Sequence, residues 1–328
     1  MTHSKTAAKY CNRVGGAVCI HFAMLFVVQI IFLLILAAAV AVSRKDISLS
    51  NFITSKPVTL YGVAVAYVSS NIICSIIALA FCSKLKNSFK GMFAAPDISG
   101  KTMLLCIPAA MFIQSVSIVI QNVFSGITGS SGMENMQMPE LIHGHTLNNI
   151  VYVLYVVLLG PITEELIFRG AFMKCLNFAG RNFAIFFSAF LFALFHGNIM
   201  QGIIAFLLGI FFGYLDMKTG SLIPSVILHI TNNLIAALFE IIEFAFGIDM
   251  SGTILTIYLI ASIVLGALCM FLVLKNLKPK DYTENEFFAP EFTPEPDEKK
   301  SCGIAAALKA PLMWIACLIY VALIIVNL

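Results

Sequence analysis

Long apolar runs, separated by short clusters of charged residues, make up most of the chain. A helix of roughly 20 residues crosses the hydrocarbon core of a bilayer, about 30 Å thick. Seven runs reach that length, at about residues 17 to 42, 58 to 82, 102 to 125, 147 to 175, 221 to 245, 252 to 274 and 310 to 327. A further apolar stretch between Arg181 and Asp216 is interrupted by Gly197-Asn198, which predicts two shorter helices, about 183 to 196 and 199 to 215. The pattern predicts an all-α, polytopic transmembrane helix bundle of about eight to nine membrane helices.

Composition agrees with this interpretation. Of the 328 residues, 60% are hydrophobic and only 11% are charged, and the mean hydropathy is +0.95. About a quarter of the residues of a globular domain are charged. The net charge of +3 is small, and no cluster of basic and aromatic residues suggests nucleic-acid binding. We therefore expect membrane lipids, and no nucleic acid, as the surroundings of the protein.

The distribution of Lys and Arg predicts the orientation of the chain, because these residues are enriched in cytoplasmic loops. With the amino terminus in the cytoplasm, three of them fall on the external side of the membrane, at Arg44, Lys45 and Lys56. Sixteen fall on the cytoplasmic side, at positions 5, 9, 13, 84, 86, 90, 101, 174, 181, 218, 275, 278, 280, 299, 300 and 309. The sequence thus predicts a multi-pass protein of the cell membrane with a cytoplasmic amino terminus and an external carboxyl terminus.

The same pattern divides the chain into four parts. Residues 1–101 contain the first two membrane helices, and residues 102–280 form a helical core. Residues 281–300 are acidic, contain proline and have the composition of a disordered linker that builds no core. Residues 301–328 hold the last membrane helix. An external loop near residues 126 to 146 carries His143-x-His145, which we interpret as a solvated pair rather than a metal site.

Ionisable residues inside the apolar segments are concentrated between residues 160 and 233. Each is expected to have a partner or a function, because a charge at the bilayer centre costs at least about 2.5 kcal/mol. Glu165 and Arg169 are four residues apart and project to the same side of a helix, so they are expected to pair. Glu164 points about 100° away from Glu165, which leaves it available for chemistry. A purely structural ion pair between Glu165 and Arg169 is equally consistent with the spacing.

Two more pairs repeat this four-residue spacing. His229 and Asn233 share one face of a helix, which suits two ligands of one metal ion or two groups acting on one substrate. Phe192 and His196 also share a face, and the apolar ring beside the imidazole limits its access to water.

The ordered set resembles the three motifs of the CAAX prenyl protease and bacteriocin-processing family of intramembrane proteases, the CPBP or Abi family. The motifs in this chain are Glu164-Glu165-x-x-x-Arg169, Phe192-x-x-x-His196 and His229-x-x-x-Asn233. The resemblance implies four catalytic residues that line a cavity within the membrane, namely Glu164, His196, His229 and Asn233. It implies supporting positions for Glu165, Arg169 and Phe192.

Two mechanisms are open at this point. In the first, Glu164 is the general base for a water molecule that His196 helps to position, while His229 and Asn233 stabilise the oxyanion. In the second, Glu164, His196 and His229 bind a divalent metal ion, most simply zinc, that activates the water. The chain lacks the H-E-x-x-H motif of familiar zinc proteases.

The predicted function is an intramembrane endopeptidase that cleaves a peptide or a lipid-modified protein, of CAAX or bacteriocin type. Two alternatives use the same residues. In one, the buried polar groups form the pathway of a membrane transporter or ion channel. In the other, the chain is a bacteriocin-immunity or scaffold protein that keeps the cavity and cleaves nothing.

Overall fold

The computed structural model of the protein describes residues 3–42, 68–69, 71–81, 83–84, 91–128, 146–278, 286–290 and 302–326. Every regular element in these residues is a helix. We number the helices α1 (His3–Val42), α2 (Asn71–Phe81), α3 (Gly100–Thr128), α4 (Thr146–Ala179), α5 (Arg181–Phe195), α6 (Ile199–Thr219), α7 (Ile223–Phe246), α8 (Ile248–Asn276), α9 (Cys302–Leu308) and α10 (Pro311–Val326).

Six of these helices are long and apolar enough to cross a membrane, and three shorter ones are apolar as well. The prediction of an all-α polytopic bundle is confirmed. The long helices agree with the hydropathy pattern within a few residues, except that α1 begins at His3, well before the start expected near residue 17. Of the span predicted at about 58 to 82, the structure describes residues 68–69 and 71–81. His143, His145 and the three Lys and Arg residues predicted to be external lie outside the described residues.

Helix α6 lies at the centre of the bundle and packs against α3, α5 and α7. Half (50%) of the most apolar stretch of this helix is buried inside the protein, compared with 39% or less in the other five long apolar helices. Two glycines allow this close packing. A methyl group on Gly209 would come within 3.1 Å of the Ala189 side chain on α5, and one on Gly213 within 3.1 Å of Met173 Sδ on α4.

Helix α8 packs along α3 through polar contacts inside the membrane region. The hydroxyls of Ser115 and Ser262 are 2.5 Å apart, and Tyr258 donates to Oε1 of Gln114 at 2.8 Å. Both pairs satisfy buried hydroxyls that would otherwise be costly in an apolar environment.

The first and the last described membrane helices, α1 and α10, pack against each other. The backbone of α10 at Met313 lies so close to Gly15 that a Cβ atom there would overlap it. The Leu312 N–H donates to Oδ1 of Asn12 at 3.0 Å. On its other side, α10 contacts α5 through Tyr320, whose ring lies 6.1 Å from that of Phe195.

Residues 286–290 correct one expectation for the 281–300 linker, which was predicted to take no part in a core. Phe287 and Phe288 are only 2% and 0% exposed. The end of α4 holds their backbone, because Lys174 Nζ donates to Ala289 O at 3.1 Å and Asn177 Nδ2 to Phe288 O at 2.7 Å. The average composition of the segment is acidic and did not indicate that two adjacent aromatic side chains would be buried. Their burial stabilises the packing of residues 286–290 against α4. The rest of the linker lies outside the described residues.

Candidate active site

Helix α4 changes its hydrogen-bonding pattern on both sides of the two glutamates. Tyr155–Leu159 and Leu166–Met173 are π-helical, and Gly160–Glu165 between them is α-helical. The helix continues through Pro161. Gly160 donates to the carbonyl of Tyr155, five residues earlier, so the wider turn accommodates the proline. Short π segments of this kind occur frequently at functional sites.

Glu165 and Arg169 form the predicted ion pair, and both side chains are fully buried. Arg169 Nη1 lies 3.1 Å from Glu165 Oε1. The guanidinium carbon lies 4.4 Å from the centre of the Phe192 ring, a cation–π contact between α4 and α5. Gly209 leaves the space that the guanidinium needs, since a Cβ there would be 3.1 Å from Nη2. Arg169 therefore links α4, α5 and α6 at the level of the glutamates.

Glu164 has a different environment from its neighbour. Its side chain is 18% exposed, whereas that of Glu165 is 0% exposed. Its closest charged partner is His229, whose Nε2 lies 3.7 Å from Oε2. That distance is longer than a hydrogen bond, so Glu164 is the more accessible and less constrained carboxylate.

His229 on α7 lies between the two glutamates. Its Nδ1 is 2.8 Å from Glu165 Oε1, and its Nε2 points towards Glu164. Glu165 is a carboxylate paired with Arg169 and therefore accepts hydrogen bonds. Nδ1 of His229 consequently carries the proton that is donated to Glu165. Glu165 consequently does more than anchor α4, because it also fixes the orientation of the His229 ring.

His196 occupies the C-cap of α5, immediately after the last residue of this short helix. Its Nδ1 lies 2.8 Å from the carbonyl of Phe192, and since a carbonyl only accepts, Nδ1–H is the donor. Nε2 is then the available nitrogen of a neutral ring. Its ring packs edge-on against Phe192 at 4.9 Å, as the spacing predicted, and Glu164 and His229 act on it electrostatically.

Asn233 contacts the backbone of α4. Its Nδ2 donates to the carbonyl of Val156 at 2.9 Å. In the π-helical pattern the next donor after Gly160 would be residue 161, bonding to this same carbonyl, but Pro161 has no N–H. Asn233 supplies the missing donor, which is a structural task that the motif spacing did not reveal. An amide nitrogen carries two hydrogens, so a second one remains for other partners.

Two residues beside the site were not identified from the sequence, where Asp216 served only as the boundary of an apolar stretch. Asp216 and Ser225 are both 0% exposed. The Ser225 N–H donates to Asp216 Oδ1 at 3.3 Å, and the Ser225 side chain lies next to the carboxylates of Asp216 and Glu165. A single acidic residue in a long apolar segment was the signal available in the sequence.

Two observations bear on whether the site could hold a metal ion. His196 and His229 each donate Nδ1–H to an oxygen, the hydrogen-bonding pattern that orients histidine ligands of metals. However, no group of three His, Cys, Asp or Glu side chains arranged to hold a metal occurs among the described residues. Zinc binding by Glu164, His196 and His229 stays a prediction.

The fold and the site together define a class: a polytopic membrane protein whose ionised and polar side chains meet within its helix bundle. Comparison with known families identifies it further. Residues 146–235, about a quarter of the chain, match the model of the type II CAAX prenyl endopeptidase Rce1-like family. The match contains all seven motif residues and spans α4, α5, α6 and the first half of α7. The match supports the general class of CAAX-type intramembrane proteases. No curated protein and no solved structure gives a significant match.

Proposed function

We propose that the protein is an endopeptidase that hydrolyses a peptide bond of a peptide or lipid-modified protein, with Glu164 as the general base. The observation that carries this proposal is the contrast between the two adjacent glutamates. Glu165 is buried and bound by Arg169 and His229, whereas Glu164 is partly exposed and has no contact closer than 3.7 Å to a charged partner among the described residues.

The proposed reaction begins with a water molecule between Glu164 and His196. Glu164 takes one proton of the water, and Nε2 of His196 accepts a hydrogen bond from the other. The water oxygen attacks the carbonyl carbon of the scissile bond, and the carbonyl oxygen becomes negative. Glu164 then delivers the proton to the leaving nitrogen as the carbon–nitrogen bond breaks. The products are a carboxylic acid and an amine, so atoms and charge balance.

The negative oxygen of the intermediate requires donors, and His229 and Asn233 are the residues we propose. His229 can donate to this oxygen only when Nε2 carries a proton in addition to the Nδ1–H on Glu165, and Nε2 is not hydrogen-bonded to Glu164, whose Oε2 lies 3.7 Å away. Asn233 offers the N–H that Val156 does not use. Donors of this kind in a site with little water each lower the barrier by about 3 kcal/mol.

The experiment that tests this proposal uses the purified full chain in detergent and in liposomes. Prenylated and unprenylated peptides ending in a CAAX sequence are incubated with it, and the products are identified by mass spectrometry. We expect Glu164→Gln to lower kcat by about 100-fold or more, since removal of a general base costs 10²–10⁴. Glu243→Gln, an exposed glutamate of α7, is the matched control and should cleave normally. Unchanged cleavage by Glu164→Gln contradicts the proposal.

The same assay decides the role of a metal ion. After exhaustive treatment with a chelator, we expect cleavage to persist and the metal content of the active protein to be well below one ion per chain. Loss of cleavage on chelation, with recovery on adding zinc, supports the metal mechanism through Glu164, His196 and His229 instead. A preference between the two peptides identifies whether a lipid group is part of the substrate.

We also propose that the amino terminus is cytoplasmic and the carboxyl terminus external, on the basis of the Lys and Arg distribution. Fluorescent-protein fusions fluoresce only on the cytoplasmic side of a bacterial membrane. A fusion at the amino terminus should be bright and one after Leu328 dark, and the reverse pattern contradicts this orientation.

A further inference from the structure

Asp216 is a fully buried carboxylate that the proposed reaction does not use. It lies near the end of α6, where the Gly220 N–H donates to its backbone carbonyl at 2.8 Å. Arg169 and Glu165 are within electrostatic range of its side chain. Burying an ionisable group costs several kcal/mol, so a neutral residue would be expected here unless the carboxylate has a task.

The first turn of α7 shows what that task is. The N–H groups at the start of a helix have no partner within the helix. In α7, Ile223 donates to Ser221 Oγ at 3.2 Å, and Pro224 has no N–H to donate. The next donor is Ser225, whose N–H goes to Asp216 Oδ1 on the neighbouring helix at 3.3 Å. Asp216 therefore caps α7 from α6.

This cap is directly connected to the site. Ser225 and His229 are four residues apart and lie on the same face of α7, one turn apart. A shift of α7 along its axis would move His229 by the same distance. The Nδ1 of His229 must stay 2.8 Å from Glu165 and its Nε2 must stay near Glu164, so its tolerance for such a shift is small.

We propose that Asp216 is a positioning residue for His229: by accepting the Ser225 N–H, it holds α7 at the height at which His229 meets Glu164 and Glu165. The catalytic part of this inference rests on the proposed function, but the positioning of the ring does not. The acceptor atom carries the effect, so an asparagine with its oxygen in the same place should serve.

The test compares Asp216→Ala with Asp216→Asn. We expect Asp216→Ala to lower kcat by about 10-fold to 100-fold with KM nearly unchanged, since small misplacements have effects of this size. Asp216→Asn should keep kcat within about threefold of wild type, because its Oδ1 can accept the same hydrogen bond. Ser115→Ala removes a comparably buried polar contact between α3 and α8, and should lower stability without changing kcat. If Asp216→Ala cannot be purified, Asp216→Ser, whose shorter side chain does not reach Ser225, takes its place.

A second measurement is independent of proteolysis. In nitrogen-labelled histidine spectra, the Nδ1–H signal of His229, assigned by its loss in His229→Gln, should move in Asp216→Ala and stay in Asp216→Asn. Equal kcat values for Asp216→Ala and wild type, an unmoved signal in Asp216→Ala, or equal losses in both Asp216 variants overturn the proposal. If wild type cleaves none of the peptides while the spectra behave as expected, the proposed function fails and the positioning of His229 stands.

Discussion

The Nδ1 atom of His229 lies 2.8 Å from Oε1 of Glu165, although 64 positions separate the two residues in the chain. Because the same carboxylate oxygen is 3.1 Å from Arg169, one buried oxygen joins a cation on α4 to an imidazole on α7. Glu164 then remains for the proposed reaction. The following predictions test separate parts of this arrangement.

Exchanging each glutamate for glutamine should give opposite results. Glu165→Gln leaves the buried guanidinium of Arg169 without its counter-charge, and breaking a buried pair costs about 3–5 kcal/mol. Glu164→Gln should have little effect on stability, because this side chain is partly exposed, but should lower kcat by about 100-fold or more. Thermal unfolding in detergent and peptide cleavage measure the two effects. Equal loss of stability in both variants would contradict the division of roles.

Gly209→Ala should destabilise the protein by about 1–3 kcal/mol, the usual cost of overpacking. The added methyl group would lie 3.1 Å from both Arg169 Nη2 and the Ala189 side chain. Gly252→Ala on α8 is the control, because a Cβ there meets nothing within 4 Å, and it should be neutral or slightly stabilising. The measurement is the thermal unfolding midpoint of each variant. Identical midpoints for Gly209→Ala and Gly252→Ala would mean that Gly209 does not make room for Arg169.

The two tasks of Asn233 can be separated with a double variant. Asn233→Ala should cost about 1–3 kcal/mol, because the Val156 carbonyl loses its donor. In a Pro161→Ala background the cost should be smaller, since residue 161 then has an N–H of its own for this carbonyl. Cleavage should be impaired by Asn233→Ala in both backgrounds. A stability loss that is the same with and without the proline would show that Pro161 is not the reason for this hydrogen bond.

Phe288→Ala should lower the free energy of unfolding by about 3–5 kcal/mol, as for other fully buried phenylalanines. Pro290→Ala, two residues away and exposed, serves as the control and should have little effect. Unfolding of the two variants in parallel gives the comparison. An unaffected Phe288→Ala protein would mean that residues 286–290 are not part of the stabilising core.

Contacts within one helix were predictable from the sequence, whereas contacts between helices were not. The pairs Glu165–Arg169 and Phe192–His196 follow from the geometry of a single helix, and both are present in the structure. Whether His229 hydrogen-bonds to Glu165 or to Glu164 depends on how α7 packs against α4. Spacing within α7 contains no information on that packing.

Two further features were hidden for different physical reasons. The bond from Asn233 to Val156 arises from the π-helical pattern around Pro161, which has no clear signature in the sequence. The docking of Phe287 and Phe288 was concealed because average composition describes a segment and not its two most apolar residues. The all-α class and the approximate positions of the described long helices, in contrast, depend on length and hydropathy alone, so the sequence was sufficient for them.

Because α1 packs against α10, this part of the bundle forms only after α10 has been synthesised. Asn12 and its partner Leu312 are 300 positions apart. At 5–20 residues per second, a ribosome needs about 15 to 60 s to pass from one to the other. Until α10 is made, the backbone at Gly15, and α5 once it has been synthesised, lack this packing partner. The newly made chain therefore spends several seconds in the membrane before α10 packs beside α5, the helix that precedes His196.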